Sequence, residues 1–303
     1  MKPFRNALIY RWQAPDTWNE ETLDAALAQH PFVPCSRHEQ HRHGWIAPVS
    51  FSEECVFAKQ GAQLISFLEE DKVVPAAALR DEVEQRVAVI EDSEARKVYR
   101  KEREQIKDEV MLEFLPRAFS RRKVTRALLL AQEGWILIDA GSFKVAERLL
   151  NALREALGSL LVRPLAVNQA PASVMTQWLL DLNSQAPGFE LEDECELRDT
   201  GEEAGIIRIK GQELMREEIQ AHLQQGMQAT RLALVWQEQL RFLLHADLSL
   251  HRFKLTDQYA EQQDQERSDD EQADAETQLV QMSLEFKRLL PQLIECFGGE
   301  VSL

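Results

Sequence analysis

The chain has 303 residues, 44% hydrophobic and 28% charged, the make-up of a folded globular protein, which excludes collagen-like, fibrous and disordered classes. That length supports two or three packed units rather than one small core. Lys and Arg total 35 against 51 Asp and Glu, a net charge of −16, so the average surface repels nucleic acid and the placement of charge must be followed along the chain.

No apolar run approaches the ~20 residues a membrane span needs. The short stretch Asn6-Ala7-Leu8-Ile9-Tyr10 is broken by Arg11 and is too short for a signal peptide. Cys35, Cys55, Cys195 and Cys296 show no paired spacing, which predicts free thiols in a reducing, cytoplasmic setting.

Residues 4–12 mix β-branched and aromatic side chains and predict a strand. Asp16 to Gln29 predicts a helix with Leu23, Ala26 and Leu27 on one side. Loops and short strands fill 31–62, and residues 63–68 predict another strand. From Ala76 to Leu115 there is no Gly or Pro, and Pro75 and Pro116 bound the segment. It predicts one long helix or a helical hairpin. Strands follow at 124–131 and 135–139 around Gln132-Glu133-Gly134. Ser142 and Gly158 bracket a helix with Val145, Leu149, Leu150, Leu153 and Leu157 on its apolar side. Residues 160–165 resume an extended segment, and the Pro/Ala/Asn stretch 166–172 suggests a boundary. Beyond it the pattern predicts a strand at 206–210, a helix at 215–225, a strand at 230–236 and a hairpin around Asp247. The tail from Thr256 reads as helical and acidic, interrupted by a polar run at 261–277. Hairpin-linked strands with few strand–helix–strand alternations indicate an α+β fold with antiparallel sheets.

Several chemistries are excluded by the glycines. No two lie two positions apart and none precedes Lys-Ser or Lys-Thr, so the dinucleotide fingerprint and the phosphate loop of ATPases are absent. The cluster Cys35, His38, His41, His43 fits neither a zincin nor a zinc finger and reads as a solvated histidine-rich loop. A nuclease-like set would need Asp16 with Glu70, Asp71 and Lys72, whose wide separation reads better as surface charge at a strand end. The acidic run Glu190 to Glu196 likewise reads as a solvated face, and no metal or cofactor is expected.

The charge is uneven. Between Arg96 and Arg126 there are eleven bases and five acids, a surplus of six, whereas Thr256–Leu303 holds twelve acids and three bases. Arg96, Lys97, Arg100, Lys101 and Arg103 recur at helical spacing. Arg121, Arg122 and Lys123 form a second knot with few acids nearby in sequence. Such residues bind phosphates without reading sequence, or else lie on an ion-paired solvated face. Phe119, set among these bases, is either a core anchor or an exposed aromatic that plugs a partner or stacks on a base.

At these residues the chain resembles the recombination-associated RdgC family. The resemblance rests on Phe4-Arg5-Asn6 with Tyr10-Arg11, Gly44-Trp45-Ile46-Ala47-Pro48, Ala95-Arg96-Lys97-Val98-Tyr99 with Lys107-Asp108-Glu109, Leu115 to Arg121, Leu153 to Leu160, Asp193 to Leu197 and Gly298-Gly299-Glu300, in order over nearly the whole length. It implies a non-enzymatic, sequence-independent binder of double-stranded DNA. The monomer would be horseshoe-like and close into a homodimeric ring, associated with the nucleoid and restraining RecA-promoted strand exchange. It implies a central part at 1–75 and 124–168, a basic helical tip at 76–123 and a base at 169–303. Phe119 would insert into the facing subunit, and Gln212 would lie at the opposite contact. DNA-binding candidates are Arg96, Lys97, Arg100, Lys101, Arg117, Arg121, Arg122, Lys123 and Lys210. The histidine cluster is not part of the family pattern. The residues leave open a metal-dependent, structure-selective nuclease or nuclease accessory, and a protein-only interaction module.

Overall fold

A computed structural model describes residues 3–15, 18–199, 201, 205–265 and 268–301. Asp16 lies outside them. The elements alternate hairpins and helices, giving an α+β fold with two antiparallel sheets and eight α-helices among the described residues.

The first half runs β1 (Leu8–Trp12), α1 (Glu20–Leu27), β2 (His41–Ile46), β3 (Val56–Lys59), β4 (Ala62–Val73), α2 (Ala76–Glu94), α3 (Arg100–Phe114), β5 (Phe119–Leu130), β6 (Trp135–Ile138), α4 (Phe143–Leu157) and β7 (Val162–Pro164). Its strands form a seven-stranded sheet in the order β2-β4-β5-β6-β1-β7, with β3 also on β4. The 40-residue segment is a hairpin of two helices. Ala95 ends α2 in the left-handed region at φ 49°, and a 3-10 turn at Leu115–Arg117 returns the chain to β5. The β5–β6 turn needs Gly134, at φ +70°, where a Cβ would sit 2.9 Å from the Trp12 carbonyl oxygen.

The second half runs α5 (Pro171–Leu180), β8 (Phe189–Arg198), β9 (Ile206–Lys210), α6 (Glu217–Gln224), β10 (Gln228–Trp236), β11 (Leu240–His245), β12 (Leu250–Leu255), α7 (Asp257–Gln265) and α8 (Glu271–Cys296). Its five-stranded sheet has the order β12-β11-β10-β8-β9. Mutual hydrogen bonds between Ala7 and Leu250 join the two halves.

Alternation along the strands sorts the core. Leu8, Tyr10, Ile65, Phe67, Ala127 and Leu129 face α1 and α4. The other side of that sheet, with Ile9, Leu64, Leu128 and Leu137, packs into one cluster with α8 and the five-stranded sheet. The helical hairpin has a small core of its own, Leu79, Val83, Val87, Ile106 and Val110.

Three expectations are corrected. The run Glu190 to Glu196 is only in part a solvated face: it lies on β8, an interior strand, with Glu190 and Asp193 exposed but Glu196 buried. Glu196, 3% exposed, is held by Arg198, Arg208 and Arg231. Burial alone pushes its carboxyl up, but hydrogen bonds from Arg208 and Arg198 outweigh this and hold it below the usual range. The polar run in the tail does not interrupt the helices throughout, since 271–277 form the first turns of α8. Ser142 occupies the N-cap of α4 without a side-chain capping bond, although Gly158 does end that helix left-handed at φ +75°.

Candidate nucleic-acid interface

Strands β4 and β5 pair over twelve positions, from Ala62 with Leu130 to Val73 with Phe119. Strand β6 covers only the Ala127–Leu130 part of β5. The pair therefore projects beyond the core, and every residue from Phe119 to Val124 is exposed. Strand β2 lies on the other side of β4, with His41, Arg42 and His43 opposite Asp71, Glu70 and Glu69. The result is a three-stranded corner with acids on its middle strand and bases or histidines on both flanks.

Directly opposed residues in antiparallel strands share a face. On one face lie the rows His41–Asp71–Arg121 and His43–Glu69–Lys123. On the other lies Arg42–Glu70–Arg122. Two of the three bases in the knot, Arg121 and Arg122, thus have acidic partners after all, supplied across the strand by residues 50 and 52 positions away in sequence. Arg121 stands 3.7 Å from Asp71 and Arg122 3.5 Å from Glu70. Glu70 is 3% exposed, not a loose charge at a strand end. It accepts the Cys35 backbone N–H at 2.9 Å, and that bond, with the Ser120 hydroxyl and Arg122, holds its carboxyl below the usual range. Arg122 also lies over the Phe32 ring at 5.5 Å, so it is bound into the fold. Glu69 is clamped by Arg148 of α4 at 2.6 Å. Arg117 and Lys123 are exposed and make no ion pair among the described residues.

Phe119 settles its own local question: it is 87% exposed and is not a core anchor of its chain. Val73, its partner across the strand, and Val124 are also exposed. Sequence reasoning did not single these out. Period-two spacing would have flagged Phe119, Arg121 and Lys123 as sharing a face once the strand was extended to Phe119.

Arg96, Lys97, Arg100 and Lys101 lie elsewhere, at the far turn of the α2–α3 hairpin. The nineteen residues of α2 make a helix about 28 Å long, so this turn stands well away from the sheet corner. Arg96 is held by both Glu94 and Glu102, Arg100 by Glu104 and Arg103 by Glu84. Lys97 and Lys101 are exposed without an ion pair among the described residues. Tyr99, 76% exposed between them, is an aromatic the sequence reading used only as part of a motif. Lys210 and Gln212 are on neither region. Lys210 ends β9, the edge strand of the five-stranded sheet, 3.7 Å from Glu194, and Gln212 is exposed just past Gly211.

Among the described residues no three His, Cys, Asp or Glu side chains converge as metal ligands, and no helix is long and apolar enough to cross a membrane. All four cysteines are free thiols.

A family model described as "Putative exonuclease, RdgC" matches residues 3–300. The recombination-associated protein RdgC of Pseudomonas entomophila is 42% identical over 299 residues, covering 98% of this chain and 97% of that protein. The proteins of the same name from Pseudomonas putida strain GB-1 and Pseudomonas aeruginosa strain LESB58 are 42% and 40% identical over 98% of this chain. An ordered resemblance spread from Phe4 to Glu300 and an identity of this level along the same span have one meaning: the chain belongs to the RdgC family of recombination-associated proteins.

Proposed function

We propose that the protein binds double-stranded DNA without sequence preference, as a homodimer that closes into a ring around the duplex. The carrying observation is the exposed β4–β5 ribbon, where Phe119 stands bare among bases. From Arg117 to Arg126 there are five bases and no acid. A solvent-exposed aromatic beside an exposed valine is suited to a pocket on a second subunit. The bases around it attract phosphate, while the acidic remainder of the chain repels it. Gln212, just past the edge strand of the other sheet, serves as the second contact of the ring. Two contacts per subunit pair hold DNA topologically, so modest attraction per phosphate gives long residence. The horseshoe-like monomer, nucleoid association and restraint of RecA, by contact or by competition for DNA, belong to the same reading.

The word exonuclease in the family description raises hydrolysis as a second reading. Of the carboxylates that would serve it, Glu70 is paired with Arg122 and Asp71 with Arg121 and His41, which favours a structural role. Purified protein incubated with Mg²⁺ and linear duplex is expected to leave the DNA intact. Cleavage lost in Glu70→Gln would overturn the non-enzymatic reading.

Phe119→Ala tests the ring. Its exposure predicts a melting temperature close to the parent's, a dimer retained through the other contact, and loss of durable binding to closed-circular DNA. Binding to linear duplex should fall less, because the bases remain. An early-melting variant, or one that holds both DNA forms like the parent, would remove the plug.

A further inference from the structure

The histidines that fit no metal pattern lie on the proposed DNA-facing corner. The pairing register puts His41 in a row with Asp71 and Arg121, and His43 in a row with Glu69 and Lys123. Both histidines are exposed. His41 donates through Nδ1 to Asp71 Oδ1 at 2.7 Å, and its Nε2 lies 3.4 Å from Nδ1 of His43. The His43 ring rests on Phe67 with centroids 5.3 Å apart, which fixes it at the boundary between core and solvent. We propose that His41 and His43 are proton-dependent phosphate ligands of this corner, so that its hold on DNA tightens as the pH falls through the histidine range. The inference rests on the DNA-binding reading and adds a regulation to it.

The charges that face these rings decide the sign. On β4 they are Asp71 and Glu69, on β5 Arg121 and Lys123, and from α4 Arg148 through its grip on Glu69. On the opposite face Arg42 pairs with Glu39 and Arg122 with Glu70. With neutral rings the two rows and Arg148 hold three cations and two carboxylates, a surplus of one. Protonation of both rings raises that surplus to three. A proton at His41 Nε2 also ends any acceptor role toward His43 and turns that nitrogen into a donor. Imidazolium beside Asp71 competes with Arg121 for the same carboxylate. Arg121 is then freer to meet a phosphate.

The experiment is fluorescence anisotropy of a mixed-sequence duplex oligonucleotide at fixed salt, at about pH 8 and about pH 5.5, either side of the histidine range. Each exposed charge pair contributes roughly a two- to fivefold gain, so the parent should bind about 4- to 25-fold tighter at the lower pH. His41→Gln with His43→Gln should lose most of that gain. His41→Arg with His43→Arg should bind tightly at both. Other groups titrate over the same interval, so the readout is the difference between parent and variants, with melting recorded for each. A gain that survives in the glutamine pair, or an arginine pair that still follows pH, overturns the inference and leaves DNA binding standing. A parent that binds at neither pH overturns both.

Discussion

The helical hairpin and the sheet corner at its root are both rich in arginine and lysine, yet they handle that charge differently. Residues 76–114 hold eight bases and eleven acids, and Arg86, Arg96, Arg100 and Arg103 are each paired within the hairpin. Residues 117–126 hold five bases and no acid. Of the surplus of six read between Arg96 and Arg126, the hairpin part supplies one and the ribbon part five. The difference arises from geometry. In the hairpin, partners come from i to i+4 neighbours, as for Arg86 with Glu82 and Arg100 with Glu104, and from the facing helix, as for Arg86 with Glu113 and Arg103 with Glu84. On the strand the partners come from beyond it: Asp139 pairs Arg126, and Asp71 and Glu70 lie near Arg121 and Arg122, while Arg117 and Lys123 have no ion pair among the described residues.

The largest expected effect concerns charge reversal. Arg121→Glu with Lys123→Glu should weaken duplex binding by about a hundredfold or more at low salt, since it removes two phosphate contacts and adds repulsion. The same reversal at Lys97 and Lys101 should cost roughly fivefold or less, as expected of charges far from the main surplus. Equal losses at the two places, read by anisotropy, would erase the distinction.

The hairpin should be separable in stability too. Val110 is fully buried in a core of five residues, and Val110→Ala should cost about 2 kcal/mol there. Hydrogen exchange should rise about thirtyfold in α2 and α3, with strands β4 and β5 keeping their protection. A uniform rise across both would show that the two regions unfold as one.

Asp71→Asn is a sign test. It removes the carboxylate nearest Arg121, and duplex affinity should rise about two- to fivefold. A fall would show that Asp71 positions Arg121 rather than neutralising it.

The smallest effect is the acid response of the ribbon. Glu70 has its carboxyl held below the usual range in the folded chain, first by the Cys35 N–H. Its contribution is therefore present above the ordinary glutamate value and fades as the pH falls through the lowered one. Amide protection in residues 119–124 should drop in that acid window. Glu70→Gln should flatten the drop, and an unchanged profile would remove Glu70 as its source. This window lies below the histidine range, so the two pH effects can be told apart.

Much of the architecture was legible in the sequence, for local reasons. Pro75 and Pro116 bound a helix-forming segment, and Gly134 and Gly158 mark turns that require positive φ. What the sequence hid depends on partners remote in the chain. Arg121 and Arg122 looked unpaired because their acids, Asp71 and Glu70, lie across a strand. The acidic run of β8 looked solvated because Arg208 and Arg231 come from neighbouring strands. Phe119 was undecidable, since an aromatic at a strand start is equally compatible with core and surface until β6 is seen to stop short of it. His41 and His43 were visible as a cluster, but only the register set them beside Arg121 and Lys123.

The central claim, that the ribbon and not the hairpin carries the DNA contact, is tested most directly by the salt dependence of duplex binding. The slope of log affinity against log salt changes by about 0.9 for each phosphate neutralised. Neutralising Arg121→Gln with Lys123→Gln should make the slope shallower by about 1.8, while Lys97→Gln with Lys101→Gln should leave it near the parent's. A shallower slope from the hairpin pair with an unchanged slope from the ribbon pair would contradict the account.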